Sequence, residues 1–327
     1  MAPLGPRRPQ RLGPAGALLS EQARELIGRT PFAGIRRLPW PRLWLPVARR
    51  RQRAGTEQEA MEVAAARGVV VQREQIAGVP VRRLTPGHGD SSGTLVYFHG
   101  GAHVMGTPLD VTSVLLCEGT GCTVLSVDYP LAPEHPYPGA LRAAEQVWVE
   151  VTDRDPGPVG LAGLSAGGNL ALALMLRILR RDLARPAVLG LMTPWTDAAL
   201  IGDSHETNSG RDPVLAFRWQ IEMAATLYLN GASATHPLIS PVHADRAALE
   251  GWPPTMITTG TRDLLLSDAT RMYWRLREVT DDVHLRLWEG MWHGFTSEPD
   301  LPEGIRGRAE LCGFLVRELR TASEATR

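Results

Sequence analysis

The chain has 327 residues, 43% hydrophobic and 21% charged, which is enough apolar material for a full core and argues against global disorder. Thirty-five basic residues balance 35 acidic ones, which argues against a general nucleic-acid binder, and no uncharged apolar run reaches the roughly 18 residues of a membrane span. Every basic residue is an arginine, so Schiff-base chemistry, pyridoxal-phosphate attachment and a phosphate-cradling Walker lysine are excluded.

Residues 1–53 hold twelve arginines against only Glu21 and Glu25. Residues 1–19, rich in Pro and Gly, read as a disordered basic segment. Arg7-Arg8 is not followed by an apolar h-region, so no secretory signal is read. From Ser20 to Arg53 the pattern predicts short helices, with Ser20 as N-cap and Glu21 in the first turn. Trp40, Leu43, Trp44 and Leu45 give this stretch an apolar side. Two roles stay open for it: a helical cover on the main domain, or a basic arm for an anionic surface.

After Gly68 the rhythm changes. Val69–Arg73 and Val79–Leu84 flank Ala77-Gly78 and predict a hairpin. Apolar strands follow at Thr94–Phe98, Cys122–Asp128, Val159–Leu164, Ala187–Met192, Thr255–Thr259 and His284–Trp288. Helical patterns lie at Ala140–Val151, Gly168–Arg181, Ser267–Val279 and Ile305–Arg320. This alternation predicts an α/β fold: a mostly parallel sheet with helices on both faces. Helix Gly168–Arg181 is apolar nearly all round and should be central. Only Ala198–Pro254 breaks the alternation, an insertion with one helical segment, Val214–Asn230, of a length that suggests a lid. Cys117, Cys122 and Cys312 form no CxxC pair and no even disulfide set, so they read as buried small side chains in a reduced, cytoplasmic protein.

The chemistry centres on Gly163-Leu164-Ser165-Ala166-Gly167-Gly168, placed where a buried strand meets a buried helix. A G-x-S-x-G elbow in that context presents its serine on a strained turn at a helix N-terminus, where negative charge is favoured. A hydroxyl needs a base, and His293 follows the last predicted strand. The base needs an acid, and Asp263 follows strand Thr255–Thr259, with Asp268 as fallback. The order Ser165, Asp263, His293 is that of an α/β-hydrolase triad. His99-Gly100-Gly101-Ala102 follows strand Thr94–Phe98, where consecutive glycines free N–H groups for an oxyanion. Gly100, Gly101 and Ala166 are the candidate donors. His103, Leu164, Trp195 and Trp292 are the candidate pocket residues. His205, His236 and His243 lack an accompanying acid or thiolate cluster, so no metal site is expected.

The chain resembles the hormone-sensitive-lipase-like (bacterial type IV) carboxylesterases of the α/β-hydrolase superfamily. The resemblance is carried by Tyr97-Phe98-His99-Gly100-Gly101-Ala102, by Asp128-Tyr129-Pro130-Leu131-Ala132-Pro133-Glu134-His135-Pro136-Tyr137-Pro138, by Pro194-Trp195-Thr196-Asp197 and Ser240-Pro241, and by the Asp263 and His293 segments. It spans about residues 68–320. Ala102 stands where the family has a third glycine, Leu164 where an acidic residue or threonine is common, and Leu264 where proline is frequent. The resemblance implies an α/β-hydrolase domain over 20–327 with a helical cap built from 20–58 and the insertion 198–232. It implies Ser165 as nucleophile, His293 as base, Asp263 as acid, and Glu134 and His135 as loop organisers. It also implies a dimer as a common state.

The expected activity is a serine hydrolase cleaving short-chain carboxylic esters through an acyl-enzyme, with no cofactor, no metal and no nucleic-acid partner. Lactones, amides or acetylated natural products would suit the same groups. A non-catalytic receptor is the third reading, disfavoured by the presence of His293.

Overall fold

The chain begins its described course with a 3-10 turn, Pro14–Leu18, followed by α1 (Glu21–Gly28) and α2 (Pro41–Arg67). The computed structural model describes residues 14–28, 41–87, 91, 93–154 and 157–325. The hairpin strands are β1 (Val69–Ile76) and β2 (Val79–Pro86), joined through Ala77 and Gly78, both at positive φ as a two-residue hairpin turn requires. Then come β3 (Thr94–Phe98), α3 (Val111–Thr120), β4 (Thr123–Val127), α4 (Gly139–Arg154), β5 (Val159–Leu164), α5 (Ala166–Arg181) and β6 (Leu189–Met192). The insertion contributes α6 (Ser204–Thr207) and α7 (Arg218–Leu229). The chain closes with β7 (Thr255–Gly260), α8 (Leu266–Arg277), β8 (Val283–Trp288) and α9 (Pro302–Ala325).

The eight strands form one sheet in the order β1-β2-β4-β3-β5-β6-β7-β8. β1 and β2 pair antiparallel, as do β2 and β4, and every later pair is parallel. Alternate residues of each strand face opposite layers. Leu95 and Tyr97 join Ala60 and Ala64 of α2, Leu115 of α3 and Leu311 of α9 on one face. Val96 and Phe98 join Val147 and Trp148 of α4 and Leu172 of α5 on the other. For the inner strands β3 to β7 both faces are dry, which explains why they read as continuous apolar runs. Each large side chain so buried contributes roughly 1.5–3 kcal/mol. Cys117, Cys122 and Cys312 sit reduced within the α3/α9 layer, and burial pushes the Cys117 and Cys312 thiols up to about 12.

The structure departs from the sequence reading at the N-terminus and after β3. Of the segment read as disordered, residues 1–13 lie outside the described residues, whereas Pro14–Leu18 is a turn and Leu19 is buried in one apolar cluster with Ala23, Ile27, Met291 and Trp292. Ser20 does cap α1: its Oγ accepts the Ala23 N–H at 3.2 Å and donates to Glu303 at 2.7 Å. Trp40 and the Leu43 side chain lie outside the described residues, Trp44 is half-buried, and Leu45 is buried. Helix α2 runs to Arg67, well past Arg53, because residues 57–66 are rich in Glu, Gln and Ala and only Gly68, at positive φ, stops them. Helix α3 has no counterpart among the predicted elements. It is short and buried nearly all round, so no amphipathic period marks it, and Asp110 caps it by accepting the Ser113 N–H at 2.8 Å. Among the described residues no helix is long and apolar enough to cross a membrane.

Candidate active site

Strands β3, β5, β7 and β8 run parallel within the sheet, so the loops that leave their C-terminal ends gather on one edge. Those four loops carry His99–Gly106, Ser165, Asp263 and His293.

Ser165 sits between β5 and α5 at φ 56°, ψ −117°, a strained conformation for a residue with a Cβ. The turn is held by its N–H on the Met192 carbonyl (2.9 Å) and by its own carbonyl accepting from Asn169 and Trp195 (3.1 Å each). It also needs Gly167, where a Cβ would collide with the Phe98 carbonyl. That contact seats the elbow directly against the end of β3. Ala166 is the first residue of α5, where a backbone N–H has no partner within the helix.

The loop after β3 curls through Gly101 (φ 116°), Ala102 (φ 54°) and His103 (φ 61°). At Gly101 a Cβ would strike the Met105 carbonyl. The turn is closed by Val104 and Met105 N–H groups on the Gly101 carbonyl, at 3.0 and 2.8 Å. Two histidines brace it from inside. His99 Nδ1 lies 2.7 Å from the Gly100 carbonyl, which places the proton there, and its ring stacks on Tyr129. His103 Nε2 faces Asn169 Oδ1 at 3.1 Å and its ring stacks on Tyr228 at 3.9 Å. Burial lowers both imidazoles, His99 to about 4 and His103 to about 3, so both are neutral at physiological pH.

His293 Nδ1 lies 2.9 Å from Asp263 Oδ1. Asp263 is fully buried; its other oxygen accepts from Thr259 Oγ1 (2.8 Å), and Oδ1 also accepts the Leu265 N–H (2.9 Å). An imidazole so placed carries its proton on Nδ1 and keeps the Nε2 lone pair free. Burial opposes the imidazolium, but the charge and hydrogen bond of Asp263, joined by Asp212 and Asp268, outweigh it and raise His293 above its usual 6.5. The base loop abuts the elbow: Gly294 donates to Thr193 Oγ1 at 3.3 Å, two residues from Trp195, which holds the Ser165 carbonyl. Leu164 fills the space between loops, 3.3 Å from a Cβ position at Gly100 and 3.9 Å from one at Gly294.

The remaining sequence candidates take packing positions. His103 is buried as described. Trp195 is buried, donating from Nε1 to the Asp197 carbonyl at 3.0 Å. Trp292 is buried in the cluster with α1. Asp268, the fallback acid, is committed elsewhere: it accepts from Thr196 and Asp197 N–H groups and meets His205 Nε2 at 2.6 Å, both side chains fully buried. His243 meets Asp197 at 3.0 Å. Two contributors escaped the sequence reading. Arg49 on α2 donates to the Val104 carbonyl (3.0 Å), the Ala132 carbonyl (2.7 Å) and Glu134 (3.0 Å). Asp212, in the insertion, accepts the His293 N–H at 3.0 Å. A helical spacing Arg49, Gln52, Arg53, Glu57 was the available signal for the first; the second carried none beyond an Asp-Pro step.

Among the described residues, Asp212, Asp263 and His293 are the group whose potential ligand atoms lie within 4.8 Å of one another. Their oxygens are already taken by backbone N–H groups, Thr259 and the imidazole, which is the arrangement of a hydrogen-bonded pair and not of an open cation site.

A strained serine at a helix N-terminus, a glycine loop beside it and an imidazole–carboxylate pair on adjoining strand ends define the α/β-hydrolase class. Comparison with known proteins agrees: the alpha/beta hydrolase fold family matches residues 95–297, and the chain belongs to it. An acetyl-hydrolase of Streptomyces hygroscopicus is 34% identical over 68% of this chain and 75% of its own length. An esterase of Acinetobacter venetianus is 33% identical over 67% of this chain and 73% of its own. Among solved structures, esterase E25 superposes with a TM-score of 0.84 at 30% identity, covering 97% of this chain and 98% of that one. An esterase from the bacterial hormone-sensitive lipase family gives 0.81 at 28% identity, covering 92% and 99%. The protein is an enzyme of this hormone-sensitive-lipase-like group.

Proposed function

We propose that the protein hydrolyses short-chain carboxylic esters, acetyl esters among them, through an acyl-enzyme on Ser165. The observation that carries this reading is the His293–Asp263 hydrogen bond, 2.9 Å, on the loop that abuts the serine elbow. His293 Nε2 takes the proton of Ser165 as Oγ attacks the ester carbonyl carbon. The tetrahedral oxyanion is held by N–H groups of Gly100, Gly101 and Ala166, each contributing roughly 3–4 kcal/mol to the barrier reduction. His293 returns the proton to the departing alcohol. Water then repeats the sequence on the acyl-enzyme and frees the acid. Asp263 keeps the imidazole in the right tautomer and stabilises its cation. The flanking pieces over 20–58 and 198–232 serve as the cap. Similarity to an acetyl-hydrolase supports a small acyl group for this chain.

The test is turnover of p-nitrophenyl acetate and butyrate with covalent labelling by a fluorophosphonate probe. Ser165→Ala should abolish both. Near wild-type hydrolysis by that variant would refute the reading. A profile over acyl-chain length should peak at the short end, and a peak at long chains would remove the short-chain assignment.

A further inference from the structure

Within the insertion, Asp212 makes contacts out of proportion to a lid residue. It is 1% exposed, and its carboxylate accepts four backbone N–H groups. Oδ2 takes His293 at 3.0 Å and Leu264 at 3.1 Å. Oδ1 takes Val214 at 2.8 Å and Leu215 at 3.0 Å. One side chain thus joins the main chain of the base, the residue after the acid, and the insertion itself. Asn208, four residues earlier, grips the same loop from its other side. Its Nδ2 donates to the Asp263 carbonyl at 2.8 Å and the Thr261 carbonyl at 3.2 Å, and its Oδ1 accepts from Arg211 at 3.1 Å.

We infer that Asp212 is a positioning residue for the reaction, and that segment 208–215 of the insertion fixes the relative placement of Asp263 and His293. This rests on the triad reading above. The chemistry favours it over a purely structural staple. A buried carboxylate can satisfy four N–H donors at once because it offers only acceptors. A carboxamide of the same shape offers one oxygen and one NH2, so about half of those N–H groups lose their partner. The loops would separate by a fraction of an ångström, which is the scale on which catalytic geometry fails. The carboxylate also belongs to the electrostatic surroundings of the imidazole. The groups facing His293 are Asp263, Asp212 and Asp268, and all three favour its cation. Those facing Asp212 are Asp263, His293 and Arg262. Burial, then the Asp263 charge, push the Asp212 carboxyl up to about 6.

The experiment is Asp212→Asn in the full chain, with p-nitrophenyl butyrate as substrate and circular dichroism as the check on folding. The expected result is a kcat lower by roughly 10- to 100-fold with KM unchanged. In addition, the acidic limb of the kcat/KM profile, which requires neutral His293, should move to lower pH because one of three neighbouring negative charges is gone. Wild-type kcat, or a reduced kcat with an unmoved limb, overturns the inference. If Asp212→Asn yields no folded enzyme, Asn208→Ala decides in its place: a lower kcat at unchanged KM supports the positioning role of the segment, and wild-type kcat overturns it. Ser165→Ala, run in parallel, separates the two levels. An active Ser165→Ala enzyme refutes the proposed function, whereas an inactive one beside a wild-type-like Asp212→Asn refutes only the role of Asp212.

Discussion

The two flanks that contact the loops at the sheet edge do so by opposite physical means. On the N-terminal side, α2 reaches the glycine loop with partly buried arginines. Arg49 binds the Val104 and Ala132 carbonyls, and Arg53 pairs with Asp128 at 2.7 Å. Gln52 accepts the Gly106 N–H and Glu57 accepts the Thr107 hydroxyl. On the insertion side, the fully buried acids Asp212 and Asp263 collect backbone N–H groups around His293. Exposed ion pairs are screened by salt and contribute little each, about 0–1 kcal/mol. Buried acceptors are unscreened, and losing one strands several donors. The glycine-loop side therefore takes part of its support from salt-sensitive contacts, and the His293–Asp263 side does not.

The sharpest break of that contrast is at the His293–Asp263 pair. Asp263→Asn should lower kcat by about 10⁴-fold, because the carboxamide selects the wrong imidazole tautomer. Stopped or steady-state hydrolysis with unchanged folding checks this, and a loss below tenfold would mean another acid serves His293. On the glycine-loop side, Gly101→Ala should cost about 100-fold in kcat, since its Cβ meets the Met105 carbonyl and the N–H groups turn away from the oxyanion. Arg49→Met should cost less, roughly tenfold in kcat, with about 1–3 kcal/mol of stability from the stranded carbonyls. Raising NaCl should depress wild-type activity modestly and leave Arg49→Met less affected; equal salt responses would remove the distinction between the flanks.

The last effect concerns acid and stability, not turnover. His99 and His103 have folded pKa values depressed by burial to about 4 and about 3, below the unfolded value of 6.5. The unfolded chain therefore binds more protons below pH 6.5, and stability falls as pH drops from there toward the folded values. Each histidine contributes a slope of roughly 1.4 kcal/mol per pH unit in that window. Urea midpoints should fall between pH 7 and 5, and His103→Gln should flatten the slope.

Ser165, Asp263 and His293 were legible in the sequence because each follows a recognisable apolar strand, and a strand end fixes where the next few residues emerge. The inner strands were legible because both faces of the sheet are dry there. Asp212 was not, since its role depends on where an aperiodic insertion folds back, and four of its partners are main-chain groups that no side-chain pattern announces. Arg49 was hidden differently. In a stretch dense with arginine, nothing local distinguishes the one that docks from those facing water, such as the exposed Arg50. Helix α3 was missed because nearly all of it is buried, so no amphipathic period marks it.

The three sulfhydryls offer a gauge of opening. Cys117 on α3, Cys312 on α9 and Cys122 just before β4 are all buried in one apolar layer. A maleimide or disulfide-exchange reagent therefore reads excursions of that layer and leaves catalysis untouched in the closed protein, so labelling rate and turnover can be followed in one tube as independent clocks of breathing and chemistry.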